Sequence, residues 1–309
     1  MLLTVTIGTP KYLCVQDNCL VIKERHEDKV LDKIPLSDIW VIIIDNPQVS
    51  ITASLMGQVN DAGIGVLFCG SNHMPNGLAL PIGAHSRHAE IVEHQLAISK
   101  PLRNQLWAKI IRRKIENQAR CRELCGGDKS DVKKILGYAK DVQSNDKTQM
   151  ESAAAGAYFP KLLPYGTRRN GPMDAPLNFG YAILRTGIAQ CAVSHGWLVS
   201  RGINHHSAEN AFNLVDDLIE PFRAAVDLLV VKENILAPLS RLNKETLTKV
   251  TSVLVLLDGK EMPIQNAIDV YCESLRRAVE LKDSDQLLLP TLIGLEMATP
   301  DSMRTRGRL

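Results

Sequence analysis

The apolar residues of this chain change their spacing once, near Ser86, and that switch limits the folds open to it. Before it, short β-branched segments over 2–7, 12–23, 38–44 and 64–68 read as strands. Turn-forming residues at 8–10, 45–47 and 76–77 separate them, and a helical insert over 52–62 ends at Gly63. After it, Ile91, Gln95 and Ile98 share one helical face until Pro101. Leu102, Leu106, Ile110, Ile111 and Ile115 then keep helical spacing toward Gly126-Gly127. Further helices are predicted over 130–141, 149–159, 177–198, 222–236, 244–258 and 263–281, with an irregular stretch over 160–176. The pattern predicts an α+β protein. A small N-terminal β-rich domain, 1–84, sandwich-like with one helix, precedes a larger all-α domain, 85–309, that ends in a basic tail at 304–308. Two units also suit 309 residues, at roughly 150 residues per domain.

Several function classes fall away at this point. With 36 basic and 34 acidic residues the net charge is +2, so the surface is not basic throughout, although a local basic groove is permitted. The longest apolar runs, 40–44 and 253–257, fall far below the ~18 residues of a membrane span. The first residues lack the basic flank and long apolar segment of a signal peptide, so a cytoplasmic protein with no membrane partner is expected. The seven cysteines include no C-x-x-C pair, which disfavours a zinc ribbon or a thioredoxin-like site and predicts reduced thiols. Phosphate-binding loops, dinucleotide fingerprints, nucleophile elbows and H-E-x-x-H are all missing.

Chemistry concentrates instead in residues 202–223. His205 and His206 lead into a segment with Asp216, Asp217 and Glu220, while Phe212, Val215 and Ile219 are placed to face the core. In a helix, Asp217 and Glu220 share a face, and so do Asp216 and Glu220. Pro221 disfavours helical backbone at Glu220 and removes the N–H that would bond to the carbonyl of Asp217, so a break is expected there. An acidic start to the following helix explains the same residues without any site. Glu151 is the second candidate. Thr148-x-x-Glu151 fits a capping box, whereas the small residues Ser152, Ala155 and Gly156 allow close packing that would bring Glu151 to another element.

Carboxylates attract hard divalent cations, and one imidazole shifts the preference toward Mn²⁺. Two carboxylates and a histidine leave coordination positions for water and phosphate oxygens, which suits phosphodiester chemistry. Arg112, Arg113, Lys114, Arg168, Arg169 and Arg223 lie near these segments and favour a phosphate-rich ligand, although each also fits a solvated surface.

Taken in order, these segments resemble the CRISPR-associated integrase family, the catalytic subunit of the complex that acquires new spacers. The resemblance rests on Lys114-Ile-Glu-Asn117-Gln118, on Glu151 opening a helix that runs to Tyr158-Phe159, on Asn178-Phe-Gly-Tyr181, and on His205 through Asp217 to Glu220-Pro-Phe-Arg223. It implies that Glu151, His205 and Glu220 are the catalytic metal ligands, for Mg²⁺ or Mn²⁺. Glu at the third position resembles the variant of the single-effector, type II systems, and the fifteen-residue spacing to Glu220 favours His205 over His206. Asp217 and His206 are left as supporting groups, and Arg112, Arg113, Arg168, Arg169 and Arg223 as DNA contacts. The implied activity joins the 3′-hydroxyl of a short double-stranded DNA fragment to a phosphodiester at the edge of a CRISPR repeat. The implied partners are a second copy of the chain and a small dimeric protein, together a heterohexamer. A non-catalytic DNA-end scaffold and a metal-dependent hydrolase of small phosphoesters are the alternatives.

Overall fold

The computed structural model describes residues 2–81, 85–164 and 167–298; the basic tail expected at 304–308 lies outside them. The first part carries β1 (Leu3–Ile7), β2 (Lys11–Gln16), β3 (Cys19–Glu24), β4 (Val30–Pro35), β5 (Ile39–Ile44), β6 (Ser50–Ile51), α1 (Ala53–Asp61), β7 (Gly65–Cys69) and β8 (Pro75–Ala79). These strands form two sheets, in the orders β1-β5-β7-β8 and β4-β3-β2-β6. β5 pairs in parallel with both β1 and β7, while β2, β3 and β4 form an antiparallel meander. All six residues of β5 are buried, so both faces of its sheet must be covered. Ile39, Ile42 and Ile44 join Leu13, Leu20 and Leu55 in a core between the sheets. Trp40, Val41 and Ile43 face the other way, into the core of the helical part.

That part consists of α2 (His88–Leu96), α3 (Lys100–Leu124), α4 (Lys129–Asp141), α5 (Met150–Leu162), α6 (Asp174–Ser194), α7 (Asn213–Leu218), α8 (Arg223–Lys232), α9 (Arg241–Thr248), β9 (Val253–Leu257), β10 (Lys260–Pro263), α10 (Ile264–Glu280) and β11 (Thr291–Met297). The β-rich region followed by a helical one agrees with the expected α+β class. α3 is the axis, 25 residues long, with Leu106, Ile110, Ile111 and Ile115 wholly buried and with α4, α5 and α8 packed on it. Ser99 caps its first turn by accepting from the Leu102 N–H at 3.4 Å. α5 continues through Pro160 to Leu162, beyond its expected end.

The single helix expected over 244–258 is corrected. α9 ends at Thr248, and Val253–Leu257 is the central strand of an antiparallel sheet ordered β10-β9-β11. Val253, Val255 and Leu257 are buried in alternation, and Asp258-Gly259, both at positive φ, turns the chain into β10. The helical region thus includes one small sheet. No helix among the described residues is long and apolar enough to cross a membrane.

Besides the apolar packing of β5, an ion pair and a ring contact fasten the β-rich part to the helices. Lys244 Nζ is 2.5 Å from Asp45 Oδ2, both buried, and His73 Nδ1 lies 3.1 Å from the other Asp45 oxygen. The Trp40 indole lies directly against Gly187 of α6, where a Cβ would come within 2.0 Å of the ring. We expect Gly187→Ala to cost about 1–3 kcal/mol in urea unfolding through overpacking. Trp40→Leu in the same chain should recover part of that loss; full stability of Gly187→Ala would show that the indole is not held there.

Candidate active site

Three elements converge on the middle of α3. Lys114, Asn117 and Gln118 are buried on its inner face, one turn apart. The second element is the break between α7 and α8. Glu220–Phe222 forms a 3₁₀ turn, as expected from Pro221, and the break turns Glu220 inward to a buried position. Asn117 fixes that break, donating to the Pro221 carbonyl at 2.7 Å and to the Pro290 carbonyl at 3.0 Å while accepting from the Leu292 N–H at 3.0 Å. The third element is the first turn of α5. Its cap is Asp146, which accepts from the N–H groups of Met150 (2.8 Å) and Glu151 (3.0 Å). Thr148 instead donates to the Asp141 carbonyl, so the capping box does not form and the Glu151 carboxylate reaches out of its own helix.

The Lys114 ammonium stands between the two glutamates, 2.5 Å from Glu151 Oε1 and 2.5 Å from Glu220 Oε2. Arg223 Nε donates to Glu220 Oε1 at 2.9 Å. Burial alone would push the Glu220 carboxyl up, but the charges of Lys114 and Arg223 outweigh it and hold the pKa at about 2. The same carboxylates keep the buried Lys114 charged, raising its pKa against the opposing effect of burial.

His205 is set by a different carboxylate. Its Nδ1 lies 2.6 Å from Oδ1 of Asp217, which is fully buried and also accepts from the Asn204 N–H at 2.9 Å. This hydrogen bond raises the histidine pKa, and in the neutral ring it places the proton on Nδ1 and leaves Nε2 as the free lone pair. Trp107 meets the ring edge-on at 5.7 Å. Gly202 is required beneath them, because a Cβ there would lie 2.4 Å from the His205 carbonyl and 2.7 Å from Asp217 Oδ2. His206 is exposed, its pKa lowered by partial burial and by Arg103 and Arg201. Asp216 turns away to a bidentate contact with Arg185.

A cleft of about 500 Å³ opens beside Lys114 and Glu220, lined also by Gln118, Arg168, Arg169 and Arg223. Arg168 and Arg223 sit over the Tyr181 ring at 5.1 and 4.8 Å. Behind that ring the Tyr181 and Tyr158 hydroxyls donate to Asp227, whose pKa burial raises. Arg112 and Arg113 lie elsewhere. Arg112 donates to the carbonyls of Ala139 and Val142, Arg113 to Thr291 Oγ1, and both line a separate groove of about 300 Å³. Sequence reasoning missed Asp146, five residues before Glu151 in an irregular turn, and Asp227, which reaches Tyr158 and Tyr181 from far along the chain. It also missed the position of Lys114 between the two glutamates.

The donor set fits a hard divalent cation: one free imidazole nitrogen and two carboxylates, of which Glu220 presents a buried Oε2 with no hydrogen bond beyond the lysine ion pair. As it stands the set is open. Glu151, His205 and Glu220 are not among the donor groups lying within 4.8 Å of one another among the described residues.

Residues 5–235 match the family model described as CRISPR associated protein Cas1. A CRISPR-associated endonuclease Cas1 of Neisseria meningitidis serogroup C (strain 8013) is 34% identical over 290 residues, 92% of this chain and 94% of that one. Among solved structures, a casposase bound to integration product superposes with a TM-score of 0.75 at 18% identity, covering 99% and 98% of the two chains. A chain of a Cas6-RT-Cas1–Cas2 complex reaches 0.71 at 15% identity, covering 96% of this chain and 36% of that one. The last two likenesses are of fold.

Lys114→Met removes one partner of a buried charge cluster. It should lower stability by about 3–5 kcal/mol in urea unfolding. Glu220→Gln in the same chain should recover part of that loss, whereas an unchanged midpoint for Lys114→Met would mean the lysine does not neutralise Glu220.

Proposed function

This chain belongs to the CRISPR-associated Cas1 family, and from that premise we propose that its cleft is the centre that joins DNA ends. It is an endonuclease and integrase of CRISPR adaptation. The reaction we assign to it is direct transesterification: the 3′-hydroxyl of a short DNA fragment attacks a repeat-edge phosphodiester, a new P–O bond forms, and the displaced strand leaves as a 3′-hydroxyl.

The observation that carries this reading is the pairing of Glu151 with Glu220 around one buried cation, beside a basic cleft. Glu151, His205 and Glu220 are the residues that would hold magnesium or manganese. Such a cation supplies charge that polarises the phosphodiester and steadies the leaving oxygen. The chain itself does the positioning. Asp217 fixes the imidazole so that Nε2 faces outward. Arg168, Arg169 and Arg223 offer guanidinium groups to phosphate oxygens, and the first and third of these are preset by Tyr181. His206 is a peripheral contact, and Arg112 and Arg113 would meet DNA only beyond the cleft. In this reading residues 1–84 form an assembly domain and 85–309 the catalytic domain. The working assembly is a homodimer on double-stranded DNA, joined to a small dimeric partner as a heterohexamer.

A strand-transfer assay with Mn²⁺ tests the reading. Glu151→Gln, His205→Ala and Glu220→Gln should each fold, bind DNA and lose more than about 100-fold of activity, whereas His206→Ala stays active. Asp217→Asn should weaken metal binding by about 10–100-fold. Arg168→Glu with Arg169→Glu should flatten the salt dependence of DNA binding by a log–log slope of about two. Full strand transfer by Glu151→Gln would refute the assignment.

A further inference from the structure

A second set of donors comes together where the end of α6 meets α10. Cys191 and His195 are four residues apart and share a helical face. Asp269 of α10 reaches across to both: its Oδ1 is 2.8 Å from His195 Nε2 and 3.9 Å from Cys191 Sγ. One donor atom from each residue lies within 4.8 Å of the other two, a grouping that stands alone among the described residues. On the far side of the imidazole, Nδ1 faces Glu273 Oε2 at 3.5 Å.

We propose that Cys191, His195 and Asp269 bind Zn²⁺ or a similar transition-metal ion, separately from the DNA-joining centre. A thiolate, an imidazole and a carboxylate make a zinc-type donor set, unlike the oxygen-rich set that magnesium prefers. Zinc bond lengths near 2.0–2.3 Å place tetrahedral ligands roughly 3.4–3.6 Å apart. The observed 2.8 and 3.9 Å straddle that spacing, so small side-chain rotations close the site. Glu273, held by Arg276, stands 3.5 Å behind Nδ1, the place carboxylates take behind metal-bound histidines. Cys191 and Asp269 also line a cleft of about 590 Å³ with Trp40, Gln190 and Gln265, which gives the ion a path in and a water for its fourth position. Binding releases two protons, the thiol proton of Cys191 and the Nε2 proton that His195 shares with Asp269, so thiolate and carboxylate balance the two positive charges on a neutral imidazole. The ion pins α6 to α10 on the side of α6 that carries Gly187, against which Trp40 of β5 packs.

The test uses full-length protein stripped of metal and kept reduced with a phosphine, titrated with Co²⁺. One equivalent should produce a thiolate-to-cobalt charge-transfer band that Zn²⁺ then abolishes. The Glu151, His205 and Glu220 set holds no sulfur and cannot give that band. Cys191→Ser should remove it. Asp269→Asn, at a side chain 71% exposed and therefore safe for folding, should weaken Co²⁺ binding at least tenfold while the band persists at saturation. Absence of the band, or a Co²⁺ affinity unchanged in Asp269→Asn, would overturn the site and leave these residues as an ion pair between two helices.

Discussion

The buried charge of Glu220 is the constraint around which the helical region is arranged. A carboxylate taken out of water at that depth must be neutralised by protonation or by partners. Here the partners are Lys114, from the middle of the longest helix, and Arg223, three residues along its own chain. Two positive groups on one buried carboxylate leave surplus positive charge, and Glu151 takes up part of it from the start of α5. Three separate helical segments are thereby tied to one point, and that point opens onto the basic cleft.

Supporting groups follow from the same requirement. The buried Pro221 carbonyl at the break needs a donor, and Asn117 supplies one while also fastening β11. Glu151 is available only because Asp146 satisfies the exposed N–H groups at the head of α5. His205 faces outward with a fixed tautomer because Asp217 is buried and fully used. The arrangement is a set of negative groups preorganised at known positions, with a lysine where a stronger cation is to act. An ammonium offers N–H donors but no coordination positions, so it can hold the two glutamates in place but cannot ligate the attacking and leaving oxygens as a metal ion does.

What could be read from the chain alone was whatever is local. The break at Glu220 was legible from Pro221, and β1, β5 and β7 from their β-branched runs. The segment read over 12–23 is the hairpin of β2 and β3, and β4, β6 and β8, with few such residues, were not expected. The helical axis was legible from the spacing of Leu106, Ile110, Ile111 and Ile115. β9 was misread as helix because five apolar residues carry no period of their own, and the Asp258-Gly259 turn that identifies the hairpin was passed over. The competition at Glu151 could not be decided locally, since Thr148-x-x-Glu151 fits a capping box whether or not one forms. The deciding residue, Asp146, lies in an irregular turn whose neighbour Asn145 has positive φ, a conformation that no spacing rule signals. Lys114 and Glu220 are far apart in the chain, and their meeting follows only from how α3 packs against the α7–α8 break.

The most direct measurement is the anomalous scattering of manganese in crystals of this protein grown or soaked with Mn²⁺. One strong peak is expected between Glu151, Glu220 and the Nε2 of His205, with the Lys114 ammonium moved away from at least one glutamate. Absence of a peak at these three residues, or an undisturbed Lys114 bridge at saturating Mn²⁺, would contradict the account.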